Sequence, residues 1–214
     1  MSSPYLVVLD MDSTFIQEEV IDLLAAHAGV GEQVAEITRE AMSGNLDFSQ
    51  SLSARVSLLA GLDESAFAAV RSEIHLSHGA KTLVESVHAQ NGYVMIVSGG
   101  FENVIAPLLN ELSIDHFKAN VLEVENGKLT GRLTGPVIDR SAKARFLLEN
   151  ASRFGISSDR TVAVGDGAND LEMLRVAHVG IAFNAKEIVQ QSADYSITSG
   201  DLAEVLDVIG LARI

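Results

Sequence analysis

Short apolar runs rich in β-branched residues alternate along this chain with longer stretches of helical periodicity, and that alternation limits the fold more than any other feature. The runs are Tyr5 to Leu9, Tyr93 to Val97, Thr161 to Val164, Val179 to Phe183 and Asp194 to Ile197. Their near-continuous apolar character suits strands covered on both faces, and such strands belong to βαβ units around a parallel sheet. Helical patterns fall at about Ala80 to Gln90, Ala142 to Arg153, Asn169 to Ala177 and Lys186 to Gln191. Gly92, Gly155 and Gly180 stand where helix C-terminal glycines belong. Phe101 to Leu112 also reads as helix, with Pro107 marking a kink or a late start. Glu125-Asn126-Gly127-Lys128, inside Val121 to Leu133, predicts a β-hairpin turn.

One region breaks the alternation. From Glu18 to Glu73 there is helical periodicity with turns but no convincing strand. That is far too long for a single crossover, so it reads as an inserted helical cap. The predicted fold class is therefore α/β, a Rossmann-like core with a helical cap and a small β-hairpin. Residues 1–16 and 75–214 form the discontinuous core, and residues 17–74 form the cap.

Charge narrows the partners. The formal net charge is −14, from 29 acidic against 15 basic side chains. Such a field repels nucleic acid and anionic membrane surfaces. It also repels small phosphate esters, so an anionic substrate needs a local group of cations. There is no cysteine, which excludes disulfides and thiolate metal sites. No apolar run is long enough to span a membrane and no signal peptide is evident at the start, so the cytoplasm is the default compartment. A homodimer is left open.

Chemistry-bearing residues gather at the ends of the apolar runs. The first ends in Asp10-Met11-Asp12-Ser13-Thr14, a carboxylate pair where open α/β sheets bind ligands. Taken alone, the pair reads equally well as helix capping. The third listed run ends in Gly165-Asp166-Gly167-Ala168-Asn169-Asp170, which suits an oxygen-rich Mg²⁺ site or a simple turn, and lacks the EF-hand pattern. The second ends in Ser98-Gly99-Gly100, a hydroxyl and two glycines that fit a phosphate cradle, although loops use glycine freely. Lys143 opens a helix ahead of the strand leading to Asp166, where most lysines are merely solvated. In a parallel sheet these segments converge on one crevice. The six histidines are scattered and read as structural or surface, with His75 and His78 at helical spacing.

These motifs occur in the order found in the haloacid dehalogenase-like superfamily. Glu19, Glu40 to Gly44, Phe48, Ser51-Leu52 and Arg55 to Leu59 bring the resemblance closer, to the phosphoserine phosphatase family, as do Val97 to Phe101, Asn126 to Gly131 and Val162 to Asp170. The resemblance covers essentially the whole chain. It implies hydrolysis of O-phospho-L-serine, the last step of serine biosynthesis, with Mg²⁺ as cofactor. By the same resemblance Asp10 is the nucleophile that forms an aspartyl-phosphate, and Asp12 the general acid and base. Asp10, Asp166 and the backbone carbonyl of Asp12 hold the metal, with Asp170 behind them. Ser98, Gly99, Gly100, Lys143 and Asn169 hold the phosphate, Glu19 and Arg55 the amino acid's ammonium and carboxylate, and Met42 and Phe48 an apolar lid wall. Many family members carry an N-terminal regulatory ACT domain; this sequence starts at the first strand, so none is expected. Rival readings are transfer of phosphate from phosphoserine to another alcohol such as homoserine, a broader small-molecule phosphomonoesterase, and a phospho-accepting receiver module. The last leaves Asp12 and the cap unexplained.

Overall fold

A strand whose alternate residues are all apolar needs cover on both sides, and the first strand shows how this chain provides it. In the computed structural model, which describes residues 4–42 and 47–214, β1 (Leu6–Leu9) is fully buried. Val7 and Leu9 point into one core, whereas Leu6 and Val8 point into another on the opposite face. The same division runs through β2 (Tyr93–Phe101), where Val94 and Ile96 face the first core and Met95 and Val97 the second. Two apolar faces require helices on both, which is the doubly wound solution.

Between β1 and β2 come α1 (Val20–Ala28), α2 (Gly31–Met42), α3 (Phe48–Ser57), α4 (Ala66–Glu73) and α5 (Ala80–Ala89). After β2 follow α6 (Glu102–Glu111), the hairpin β3 (His116–Glu125) and β4 (Lys128–Thr134), and α7 (Arg140–Arg153). The chain then runs through β5 (Thr161–Gly165), α8 (Leu171–Val176), β6 (Val179–Phe183), α9 (Glu187–Gln190), β7 (Tyr195–Ile197) and α10 (Glu204–Ile209). Among the described residues the strands form one sheet in the order β4-β3-β2-β1-β5-β6-β7, parallel except for β4. β1 pairs Leu9 with Ile96 on one side and with Val164 on the other. The carboxyl ends of β1, β2 and β5 are thereby brought level at the sheet's centre, where strand order reverses and crevices form. No helix among the described residues is long and apolar enough to cross a membrane.

The hairpin turn takes the predicted form. Asn126 and Gly127 both have positive φ, +52° and +77°, as a two-residue type I′ turn requires. The outer edge of β4 is occupied in turn by the segment after α3: Gly61 N–H donates to the Leu129 carbonyl at 2.8 Å, Leu129 N–H to Leu62 at 2.9 Å, and Glu64 N–H to Gly127 at 2.9 Å. At the other end of the 17–74 segment its two connections lie side by side. Gln17 N–H donates to the His75 carbonyl and Ser77 N–H to that of Phe15, both at 3.0 Å.

Several expectations need correction. Gly92 is not the left-handed residue ending α5; Asn91 is, at φ +59°. Position 92 excludes a side chain because a Cβ there would lie 2.6 Å from Val87 Cγ1 and 3.0 Å from the Tyr5 carbonyl. Gly180 lies within β6, where it lets the backbone of α8 pack close: its Cβ would meet the Leu174 carbonyl at 2.5 Å. Pro107 does not delay α6, which starts ahead of it at Glu102. His75 and His78 lie between α4 and α5 rather than on a helix, beside Glu18 and Asp201.

Candidate active site

Asp10 is the first residue past β1, and its N–H still pairs with the Val164 carbonyl of β5 at 2.9 Å. The residue is 4% exposed, and Oδ1 accepts from the Met11 N–H and from the Lys143 ammonium, each at 2.7 Å. Lys143 reaches it from the first turn of α7, whose start is capped by Asp139 accepting from the Ala142 N–H at 2.7 Å. The ammonium is buried beneath Asp10 and also donates to Asp170 Oδ1 at 2.7 Å. Burial works against the charged ammonium, but the carboxylates of Asp10 and Asp170 outweigh it and raise its pKa.

Asp170, also fully buried, ties this pair to the loop after β5 by accepting from the Gly167 N–H at 3.1 Å. That placement depends on glycine at 165, where a Cβ would lie 2.4 Å from Asp170 Cγ. Asp166 accepts from the Thr14 hydroxyl at 3.1 Å. Burial, then the nearby Asp170 and Glu19 charges, push its carboxyl up to about 6. Burial and Asp170 likewise push Asp10 well above the usual carboxylate range, opposed by Lys143.

Asp10, Asp166 and Asp170 each offer a carboxylate oxygen within 4.8 Å of the others. Three hard oxygen donors facing one ammonium leave uncompensated negative charge, a donor set that fits a hard divalent cation. Asp12 adds a second sign. Its Oδ1 is buried and has no hydrogen-bond partner among the described residues. Burial, then Glu19 and Asp10, raise its pKa well above the carboxylate norm.

Around these carboxylates lies a cavity of ≈ 1160 Å³ whose wall includes Asp10, Asp12, Glu19, Arg55, Gly99 and Asn169. Gly100 and Asp166 also line it, whereas Ser98 and Lys143 lie buried behind. The Gly100 N–H is engaged by the Ser98 hydroxyl at 2.8 Å. A Cβ at 100 would sit 2.8 Å from Asp12 Oδ2, so only glycine brings that strand so near. Phe48, at the start of α3, lies over Gly99, with its Cζ 3.1 Å from where a Cβ would be. Ser13 holds Glu19, its hydroxyl donating to Oε1 at 2.7 Å. Arg55 is half-buried and donates from Nε to the Ser51 carbonyl at 3.3 Å. Burial lowers its pKa, while Glu19, Asp22 and Asp12 support its charge.

Of the expected residues, Asp10, Asp12, Glu19, Phe48, Arg55, Gly99, Gly100, Asp166 and Asn169 line one crevice. Ser98, Lys143 and Asp170 are buried, Lys143 and Asp170 being tied to Asp10 behind its wall, whereas the side chain of Met42 and residues 43–46 lie outside the described residues. Ser13 and Thr14 carry contacts that the sequence reading did not assign, although both belong to the Asp10 to Thr14 motif. Ser13 is left-handed at φ +55°, and that sharp turn sends its side chain toward Glu19.

Comparison with known proteins identifies the family. The family model for haloacid dehalogenase-like hydrolases matches residues 7–175. A phosphoserine phosphatase of Streptomyces coelicolor is 50% identical over 97% of this chain, which spans about half (51%) of that relative's length. The phosphoserine phosphatase of Streptococcus thermophilus is 48% identical over 95% of both chains. A solved structure described as the phospho-aspartyl intermediate analogue of phosphoserine phosphatase superposes with a TM-score of 0.90 at 40% identity, covering 97% of this chain and 99% of its own. This chain belongs to the haloacid dehalogenase-like hydrolase family, within its phosphoserine phosphatase branch.

Proposed function

We propose that the protein hydrolyses O-phospho-L-serine to L-serine and phosphate through an aspartyl-phosphate on Asp10. The observation that carries this is the unlike surroundings of two neighbouring aspartates. Asp10 Oδ1 is held by Lys143 and a backbone N–H, two contacts that favour the carboxylate against the upward push of burial and Asp170. Asp12 Oδ1 has no partner among the described residues and faces the Glu19 charge, which favours the acid. One group suits attack and the other proton delivery.

In the first step an Asp10 oxygen bonds to phosphorus as the serine oxygen–phosphorus bond breaks, and Asp12 gives its proton to the departing serine oxygen. In the second, Asp12 takes a proton from the attacking water, phosphorus passes to the water oxygen, and Asp10 is regenerated. The buried Lys143 charge holds Asp10 in place throughout. Asp10 and Asp166, with the Asp12 backbone carbonyl, would hold Mg²⁺, and Asp170 steadies the group through Lys143 and Gly167. When bound, the ion offsets charge that would otherwise repel the dianionic ester. The Ser98 hydroxyl, the Gly99 N–H and Asn169 receive the phosphate oxygens, while Gly100, expected among them, gives its N–H to Ser98 Oγ and so holds that hydroxyl in place.

Residues 17–74 act as the cap and the rest as the core. Glu19 takes the substrate ammonium, and Arg55 takes its carboxylate through paired N–H bonds. Phe48 closes the wall over Gly99 and keeps water from the first step. The compartment proposed is the cytoplasm, where this step serves serine biosynthesis. Assay of phosphate release from phosphoserine with Mg²⁺ tests the reading, using Asp10→Asn as the control. Wild-type turnover and an inert, folded variant are the expected pair; full activity in Asp10→Asn ends the proposal.

A further inference from the structure

The phosphate cradle is a defect in the sheet. β2 and β3 pair regularly as far as Val97 with Lys118, and resume at Phe101 with Asn120. Between those pairs β2 has three residues, Ser98, Gly99 and Gly100, where β3 has one, Ala119. Bulges of this kind interrupt the ladder and leave backbone groups to be satisfied some other way.

Here the replacement partner is the side chain of Asn120. It is 2% exposed, and its Nδ2 donates to the Gly99 carbonyl at 2.8 Å. Its Oδ1 accepts from the Ile138 N–H at 2.9 Å. One partner is a carbonyl and the other an N–H, so the amide's orientation is fixed by what it meets. A trans peptide points its C=O and its N–H in opposite directions. Holding the Gly99 carbonyl toward β3 therefore turns the Gly100 N–H away from it, and that N–H reaches Ser98 Oγ at 2.8 Å. With an acceptor site on Ser98 filled, its O–H proton is left for another acceptor, and none takes it among the described residues. The second amide bond reaches the residue before Asp139, which caps the helix carrying Lys143.

We infer that Asn120 is a positioning residue for phosphoryl transfer: its amide spans the β2 bulge, orients the Gly99–Gly100 peptide so that its N–H holds Ser98 Oγ and leaves the hydroxyl proton for the phosphate, and couples that cradle to the helix of Lys143. The inference rests on the phosphatase reading above. It concerns the phosphoryl end of the site alone, away from Glu19 and Arg55.

The test compares Asn120→Asp with wild type. The aspartate keeps an acceptor for Ile138 but loses the donor to Gly99. Asn120→Ser serves as the second variant, and circular dichroism selects whichever is folded. Substrates are phosphoserine and p-nitrophenyl phosphate, with orthovanadate as a phosphate-site inhibitor. We expect kcat/KM to fall about 10- to 100-fold, the range seen when an outer-shell partner is lost. The fall should be equal on both substrates, with weaker vanadate inhibition. A purely structural role would lower Tm yet leave kcat/KM per folded molecule and vanadate affinity unchanged, and that result overturns the inference. So does a loss confined to phosphoserine. If wild type cleaves the aryl phosphate but not phosphoserine, the substrate assignment fails, while the aryl-phosphate and vanadate comparisons still decide the role of Asn120.

Discussion

Replacing Lys143 with methionine removes a charge while nearly keeping the side chain's length, so it isolates electrostatics from packing. Lys143 is buried, and its ammonium lies 2.7 Å from each of the Asp10 and Asp170 carboxylates. Its removal strands two buried anions 27 and 133 residues distant in sequence but adjacent in space. Breaking a buried ion pair from one side costs about 3–5 kcal/mol. At roughly 2–4 °C per kcal/mol for a chain of this size, Tm should drop by about 6–20 °C. The measurement is thermal unfolding by circular dichroism at pH 7 with chelator present, so that no cation compensates. A sign follows for pH. Without Lys143 the Asp10 carboxyl, already raised by burial, loses the charge that lowers it and sits further above its unfolded value, so the folded state binds a proton preferentially and the deficit shrinks as pH falls from 7 toward the unfolded carboxylate range. Lys143→Met with Asp170→Asn should also recover part of the loss, because one stranded charge is gone. A single variant as stable as wild type at pH 7 would refute the view that this triad holds the site together.

Further outcomes test the remaining geometry. Gly165→Ala places a methyl 2.4 Å from Asp170 Cγ, and should cost about 1–3 kcal/mol in denaturant unfolding together with most of the activity; wild-type values for both would show that Asp170 has room to move. Arg55→Ala should lower kcat/KM for phosphoserine about 10- to 100-fold, the worth of a hydrogen-bonded charge, while sparing p-nitrophenyl phosphate; equal losses would remove Arg55 from carboxylate recognition. Treatment with EDTA should stop turnover and added Mg²⁺ restore it. Mg²⁺ should also raise the Tm of wild type and not of Asp166→Asn, and an equal rise in both would take Asp166 out of the metal set.

The core was legible because its strands are buried on both faces. Such strands are short apolar words, and the polar residues at their ends, which singly suit capping or a turn, mark the crevice when taken together, as Asp10 and Asp166 do. Lys143 was a different case: on α7 it looks like any helix lysine, and only the tertiary fold aims it inward. Glycine was the least readable letter. Gly155 ends a helix at φ +63°, whereas Gly92 and Gly180 exist to let backbones touch, and the same symbol serves both ends. The bulge at Ser98 to Gly100 and its bridge from Asn120 have no local signature, since each depends on a register between strands.

The pairing of the Gly61 to Glu64 segment with β4 bears on more than the shape of the cap. An outermost strand ordinarily presents unpaired amides and carbonyls to any extended chain that drifts past. Here Leu129 spends both of its outward groups on its own polypeptide. The molecule thus carries its own blocking strip along that rim, and an intruding peptide would have to peel it away before adding to the sheet.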